Sequence, residues 1–184
     1  MKYKYLGSTK IKCPIIGFGG APIGNLFKKL KDDEANQILK ISQKNKINLY
    51  DTSPFYGYGL SEVRLGKFLK KIKRDNFIIS TKVGRYLIPE KPNLIKRGIF
   101  KGGLNLKPII DYSYSGVMRS FEQSLNRLQL DHIDICLIHD VDHFTHGRDT
   151  MKFFKQSLKG AYRALQKLKD QKLIKAIGLG LNDA

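Results

Sequence analysis

The sequence is short of cysteine, of acidic side chains and of long apolar runs, and each shortage removes a class of protein. Two cysteines in 184 residues, Cys13 and Cys136, lie far apart in apolar surroundings. They read as reduced core residues of a cytoplasmic protein, not as a disulfide framework or a metal pair. No apolar stretch approaches the length needed to span a bilayer. The opening Met1-Lys2-Tyr3-Lys4-Tyr5 lacks the apolar region of a secretory signal, so neither a membrane anchor nor export is expected. Acid is scarce relative to base: 16 Asp and Glu stand against 34 Lys and Arg, a formal charge of +18. Such an excess attracts polyanions without selecting among them. The lysines are scattered over helical surface positions (Lys28, Lys40, Lys70, Lys101, Lys159, Lys172), with no RNA-binding signature and no arginine-rich tail. No specific nucleic-acid partner is expected, and no tight internal repeat is present.

What the chain does have is an alternation of strand and helix patterns. Tyr3-Lys4-Tyr5-Leu6, Gly7-Ser8 and Ile11-Lys12-Cys13 read as a short hairpin, and Ile15 to Gly20 as a buried strand with a glycine-rich end. Asp32 is placed to cap a helix with Ala35, Ile38, Leu39 and Ser42 on one face. A strand ending at Asp51 follows, then a helix capped by Ser61 with Leu65, Phe68 and Leu69 inward. Next come a strand over Phe77–Thr81 and a helix preceded by Ser115, with Met118, Phe121, Leu125 and Leu128 on one stripe. The remaining pattern predicts a strand ending at His139, one helix marked by Phe154, Leu158, Ala161, Leu165 and Leu168, and a strand over Leu173–Leu181. Residues 83–114 interrupt the rhythm with Pro89, Pro92, Gly98, Gly102, Gly103 and Pro108, and read either as a functional loop or as a surface insertion.

Strand–helix alternation predicts a parallel sheet with right-handed crossovers, α/β in class. Chemically capable groups stand at the ends of successive strands, Asp51, Lys82 and His139, with Tyr56 in the loop Asp51-Thr52-Ser53-Pro54-Phe55-Tyr56-Gly57. Groups after several strands of one sheet fit a closing (β/α)8 TIM barrel, where chemistry sits at the carboxyl face. An open sheet instead concentrates its ligand at one switch point. A full barrel takes roughly 250 residues and eight strands. This chain supplies about five β/α units and an N-terminal β-hairpin, so 1–184 reads as a single domain holding the N-terminal part of a barrel, incomplete at the C-terminus. On that reading the 184-residue chain is expected to be unstable or inactive alone.

The four groups make one chemical proposition. A phenol is a weak acid, and a neighbouring ammonium eases its ionisation. Lys82, held by Asp51, would supply that ammonium to Tyr56, and His139 would hydrogen-bond a substrate carbonyl or share the proton transfer. Such a set polarises a carbonyl, or receives the proton of an alcohol, but carries no hydride, so a nicotinamide cofactor is implied. His139, Asp140, Asp142, His143 and His146 are dense in potential ligands, yet they lie mostly in a loop without defined ligand geometry, and no metal site is expected.

In order and setting, Asp51, Tyr56, Lys82 and His139 resemble the catalytic tetrad of the aldo-keto reductases. Around them stand Leu6-Gly7-Ser8-Thr9, Gly17-Phe18-Gly19-Gly20, Ser61-Glu62, Ser80-Thr81-Lys82 and Leu130-Asp131-His132-Ile133-Asp134. Three further stretches are similar to the sugar-oxidising branch that takes in D-threo-aldose 1-dehydrogenase, L-fucose dehydrogenase and pyridoxal 4-dehydrogenase: Gly19 to Phe27, Asp111 to Ser120, and Ile138 to Asp142. The resemblance implies NADP- or NAD-dependent interconversion of a small carbonyl compound or lactol, aldose-like, with its alcohol or lactone. It gives Tyr56 the role of general acid/base, Lys82 and Asp51 that of tuning it, and His139 that of orienting substrate. It also places Gly19, Gly20 and Asp51 along the nicotinamide ribose and Asn182 near the nicotinamide amide. The local Gly180-Leu181-Asn182 departs from the Ser-Asn pair common in the family. The competing reading is a non-catalytic half-barrel whose basic surface binds polyanions.

Overall fold

The computed structural model describes residues 1–183. The chain opens with an antiparallel hairpin, β1 (Tyr3–Tyr5) and β2 (Lys12–Pro14). It then lays down β3 (Phe18–Gly19), helix α1 (Asp32–Lys44), β4 (Leu49–Asp51), α2 (Leu60–Leu69) and β5 (Ile78–Val83). A second antiparallel hairpin, β6 (Arg85–Pro89) with β7 (Leu106–Ile110), precedes α3 (Tyr114–Leu128) and β8 (Ile135–His139). The short α4 (His143–His146), α5 (Thr150–Lys159), α6 (Ala161–Asp170) and β9 (Ala176–Gly180) follow. Strands β3, β4, β5, β8 and β9 form one parallel sheet in that order, with β3 and β9 at its edges.

Side chains alternate across a strand, so register decides which residues share a face. Tyr50, Ile79, Thr81, Val83, Cys136 and Ile138 point to one face and are buried beneath α2, α3 and α6. There they meet Leu65, Phe68, Phe121, Leu128, Leu165 and Leu168. Each such apolar side chain contributes roughly 1.5–3 kcal/mol when fully buried, so this single layer supplies most of the cohesion. On the opposite face, Asp51 stands beside Ser80, Lys82 beside Leu137, and His139 beside Gly180. One register therefore buries the main core under the helices and puts the chemical groups on the opposite side, where Leu49, Ile78, Ile135 and Leu137 form a second, smaller apolar cluster.

Several local expectations are corrected. Ile15 and Ile16 are 54% and 56% exposed, and only Phe18–Gly19 pairs with β4. The N-cap of α1 is Lys31, whose backbone amide donates to Glu34, and Asp32 is already helical and binds Arg64 instead. Ile38 faces outward at 37% exposure. Helix α2 starts from Gly59, and Ser61 is spent inside, bonded to Thr52 and the Gly20 carbonyl. Ser113, not the region of Ser115, caps α3 through the Gly116 amide. The single helix expected from Phe154 to Leu168 is two, divided at Gly160, where the backbone lies against the Tyr112 carbonyl. Phe154 and Leu158 are consequently exposed. Both cysteines are free, Cys136 buried and Cys13 only half-buried.

The stretch 83–114 holds a hairpin that its prolines conceal. Pro108 lacks an N–H, but it sits opposite Leu87, whose own N–H and C=O turn away to the side-chain amide of Gln123 on α3. No ladder bond is lost, which is the condition for proline within a strand.

Helix α2 crosses α3 at Gly66, where an added Cβ would stand 2.6 Å from the carbonyl oxygens of Arg127 and Leu128. Backbone cannot swing aside as a flexible side chain does. Gly66→Val is expected to lower the unfolding free energy by about 3 kcal/mol in a urea titration, and an unchanged midpoint would contradict this packing.

Candidate active site

The site grows from the carboxyl ends of β4, β5 and β8. The Lys82 ammonium donates to the Asp51 carboxylate at 2.6 Å and to the Thr52 carbonyl at 2.9 Å. Ser80, the register partner of Asp51, donates to the other carboxylate oxygen at 2.8 Å. Lys82 is buried while Asp51 is partly open to solvent. The lysine stem needs room to cross the sheet, and Gly180 on β9 provides it, since a Cβ there would stand 3.0 Å from Lys82 Cε.

Tyr56 reaches the same point from the β4–α2 loop. This loop turns back on itself at Gly57 (φ +63°), packed so closely on the Gly24 carbonyl that only glycine fits. The turn lays the Tyr56 ring over Lys82 Nζ, 4.9 Å from the ring centroid, and edge-on to His139 with centroids 6.1 Å apart. The structure thus brings all four sequence-predicted acid–base residues together.

His139 is held on every side. Ser53 Oγ lies 3.1 Å from its Nδ1 and accepts from the Phe55 amide, which leaves the serine hydrogen free to point at Nδ1. The Asp140 carboxylate, 3.3 Å from Nε2, favours the tautomer with the ring proton there. The Tyr112 hydroxyl donates to the His139 carbonyl at 2.7 Å. Burial, then the charges of Arg85 and Lys82, push the imidazole well below its ordinary pKa. His139 is therefore neutral near pH 7, and its Nε2–H is a donor.

The residues expected along a nucleotide divide. Gly19 faces open space, with no atom within 4 Å of a Cβ built there, whereas Gly20 is glycine because Asp51 O and Ser61 Oγ leave no room. Asn182 lines the cleft, but its Nδ2 donates to Asp140 at 3.0 Å and its backbone N–H to Asp142 at 2.7 Å. Burial and the Asp142 charge raise the Asp140 carboxyl above its usual range against the pull of Arg85. Asp142, bonded to Asn182 and Thr145, is held down at about 2.

Sequence reasoning passed over Ser53, Arg85, Phe100 and Asp140 as single site residues. Phe100, at 3% exposure, packs on Phe55, Tyr56 and Tyr58. Its segment is tied down by Phe27 N to Ile99 O, Lys101 N to Asn25 O and Leu104 N to Gly57 O. The stretch 83–114 is thus a wall of the cleft, a space of about 740 Å³ also lined by Tyr56, Lys82, Arg85, His139 and Asp140. A cleft of similar size at the other end of the sheet is basic, but its Arg74 and Lys175 both bind Asp134 at 2.6 Å, and it contains no comparable acid–base set. Among the described residues no three His, Cys, Asp or Glu stand together as metal ligands. His146 instead meets the Tyr112 hydroxyl and stacks on Phe153.

A histidine buried neutral favours unfolding in acid, because the unfolded chain binds the proton more readily. His132 and His146 are lowered by burial as well. Folding stability is expected to be intact above the unfolded-histidine pKa of about 6.5 and to fall as pH drops below it. Replacing His139 by Gln should flatten that decline in denaturation curves taken across the range, and an unchanged slope would place the His139 titration elsewhere.

Comparison with known proteins places this geometry. The profile of the Aldo/keto reductase family matches residues 15–184. The chain is 37% identical over 189 aligned residues to the pyridoxal 4-dehydrogenase of Microbacterium luteolum, covering 97% of this chain and 55% of that one. It is 40% identical over 172 residues to the D-threo-aldose 1-dehydrogenase of a Pseudomonas species, covering 91% and 50%. Among solved structures, the glycerol dehydrogenase of Gluconobacter oxydans superposes with a TM-score of 0.70 at 26% identity, over 96% of this chain and 47% of that one. The chain spans about half the length of the curated relatives it matches. Its parallel sheet is of the (β/α)8 type, and no helix among the described residues is long and apolar enough to cross a membrane. By sequence, by fold and by the constellation at the strand ends, the chain belongs to the aldo/keto reductase family.

Proposed function

We propose that the protein to which this chain belongs is an NADP- or NAD-dependent oxidoreductase that interconverts the lactol or carbonyl of an aldose-like sugar with its lactone or alcohol. The observation that carries the reading is the Lys82 ammonium, pinned by Asp51 at 2.6 Å and set 4.9 Å from the centre of the Tyr56 ring. Similarity to an aldose 1-dehydrogenase supports the sugar class.

Each residue has a task that follows from its position. In the oxidising direction Tyr56 takes the proton from the hydroxyl on the reacting carbon, and in reduction it returns it. Lys82 places a positive charge beside the Tyr56 ring, and Asp51 keeps the ammonium in place. Neutral His139 donates Nε2–H to the same substrate oxygen, orienting it and spreading the charge it develops. When bound, the nicotinamide nucleotide supplies or accepts hydride. The chain fits such a group in two respects: Gly19 opens onto free space beside Asp51, and Asn182 stands at the cleft rim with its amide already oriented. Gly20 supports that wall from behind.

Tyr56→Phe keeps the ring over Lys82 and removes only the proton carrier. It should lower kcat for aldose oxidation by about 10²–10⁴-fold while nucleotide binding, read by fluorescence titration, stays as in the wild type. A wild-type protein that transfers no hydride, or a Tyr56→Phe variant with full turnover, would overturn the reading.

A further inference from the structure

Beside the four acid–base residues lies a charged pair that their chemistry does not use. Arg85, the first residue of β6, is buried, and its guanidinium lies over Phe55, 4.4 Å from the ring centroid. Among the described residues the guanidinium's only hydrogen-bond partner is Asp140, from Nη2 at 2.9 Å, and its Nε is buried with none. Asp140 follows His139 directly and is held in the left-handed region (φ +50°) by its own N–H to Gly180 O and by the Tyr112 hydroxyl on its carbonyl. That backbone turns the carboxylate into the cleft, where Oδ2 lies 3.3 Å from His139 Nε2 and Oδ1 accepts from Asn182. Strained backbone retained beside reacting groups is a mark of function.

The geometry points to Asp140, with Arg85 behind it, as the residue that selects hydroxylated substrates by accepting a hydrogen bond from the hydroxyl next to the reacting carbon. The inference rests on the functional reading above for the position of the reacting oxygen, at His139 Nε2. Oxygens on neighbouring carbons of a sugar stand about one hydrogen-bond length apart, as do His139 Nε2 and Asp140 Oδ2. A substrate oxygen bound by the histidine therefore brings its vicinal hydroxyl against the carboxylate. Among the described residues Oδ2 accepts a hydrogen bond from Arg85 and Oδ1 one from Asn182, so each keeps an acceptor site. Arg85 keeps Asp140 in place. Phe55 and Phe100, on the same wall, offer apolar faces to the carbon skeleton.

The test measures binding, so that it does not depend on turnover. The stereoisomeric aldopentoses keep the C1 hydroxyl and are not oxidised while no nucleotide is present, and each has a 2-deoxy counterpart. Dissociation constants for both sets are measured by NMR titration on the wild-type chain, Asp140→Asn and Arg85→Lys. The wild type should prefer at least one 2-hydroxyl compound by about tenfold, the worth of one hydrogen bond to a charged group. Asp140→Asn should lose that preference. Arg85→Lys, which keeps the charge and lacks the planar fork, should weaken binding of the same compound severalfold. No preference in the wild type, or a preference that survives Asp140→Asn, overturns the inference. A chain that shows the preference yet passes no hydride from any aldose to NADP or NAD keeps the hydroxyl site and loses the functional reading instead.

Discussion

The contact between Lys82 and Asp51 is the constraint on which the site depends. An ammonium at 6% side-chain exposure cannot stand unpaired, and removal of one partner of a buried pair costs about 3–5 kcal/mol. The lower end applies here, because the Asp51 carboxylate is 36% exposed. The pair joins the ends of β4 and β5, and it sets the height at which the Tyr56 ring comes to rest. It also places a positive charge close enough to His139 to help keep that imidazole neutral. One ion pair thus serves strand alignment, the environment of the phenol and the protonation of the neighbouring base.

Around that pair the structure separates two kinds of order. The helix-covered face of the sheet is mostly apolar, apart from the buried set in which Glu62 accepts from Thr81 and Arg127. The support of the acid–base groups is polar and specific: Ser80 on Asp51, Ser53 on His139, Tyr112 on the His139 carbonyl, and Gln123 bracing the hairpin that carries Arg85. These supporting residues come from four different segments, so the site's precision is a property of the assembled sheet and not of any one loop.

The sequence made the first kind of order legible and half of the second. Alternation of strand and helix patterns, with Asp51, Lys82 and His139 at strand ends, was enough to indicate a parallel sheet and to bring the tetrad to one end of it. Ser53 escaped because a serine in a Pro/Gly turn looks like turn chemistry until His139, 86 residues away, is set beside it. Arg85 and Phe100 escaped because Pro89 and Pro108 broke the period-two signal of their hairpin, and only Gln123 shows why Pro108 is tolerated. Ser61 misled in the opposite sense: it resembles a cap, but α2 starts from Gly59 and the serine hydroxyl serves Thr52 and Gly20 within the fold. Ile15 and Ile16 read as buried because apolar runs usually are, yet they lie beside an edge strand, where burial depends on what stands next to it.

The central claim is that these strand ends form a hydride-transfer site. The most direct measurement is the mass of the nicotinamide nucleotide recovered after the protein has been incubated with an aldose deuterated at C1. The account predicts that the nucleotide gains one deuterium and that the label enters from a single face of the ring. Unlabelled nucleotide with intact aldose would contradict it.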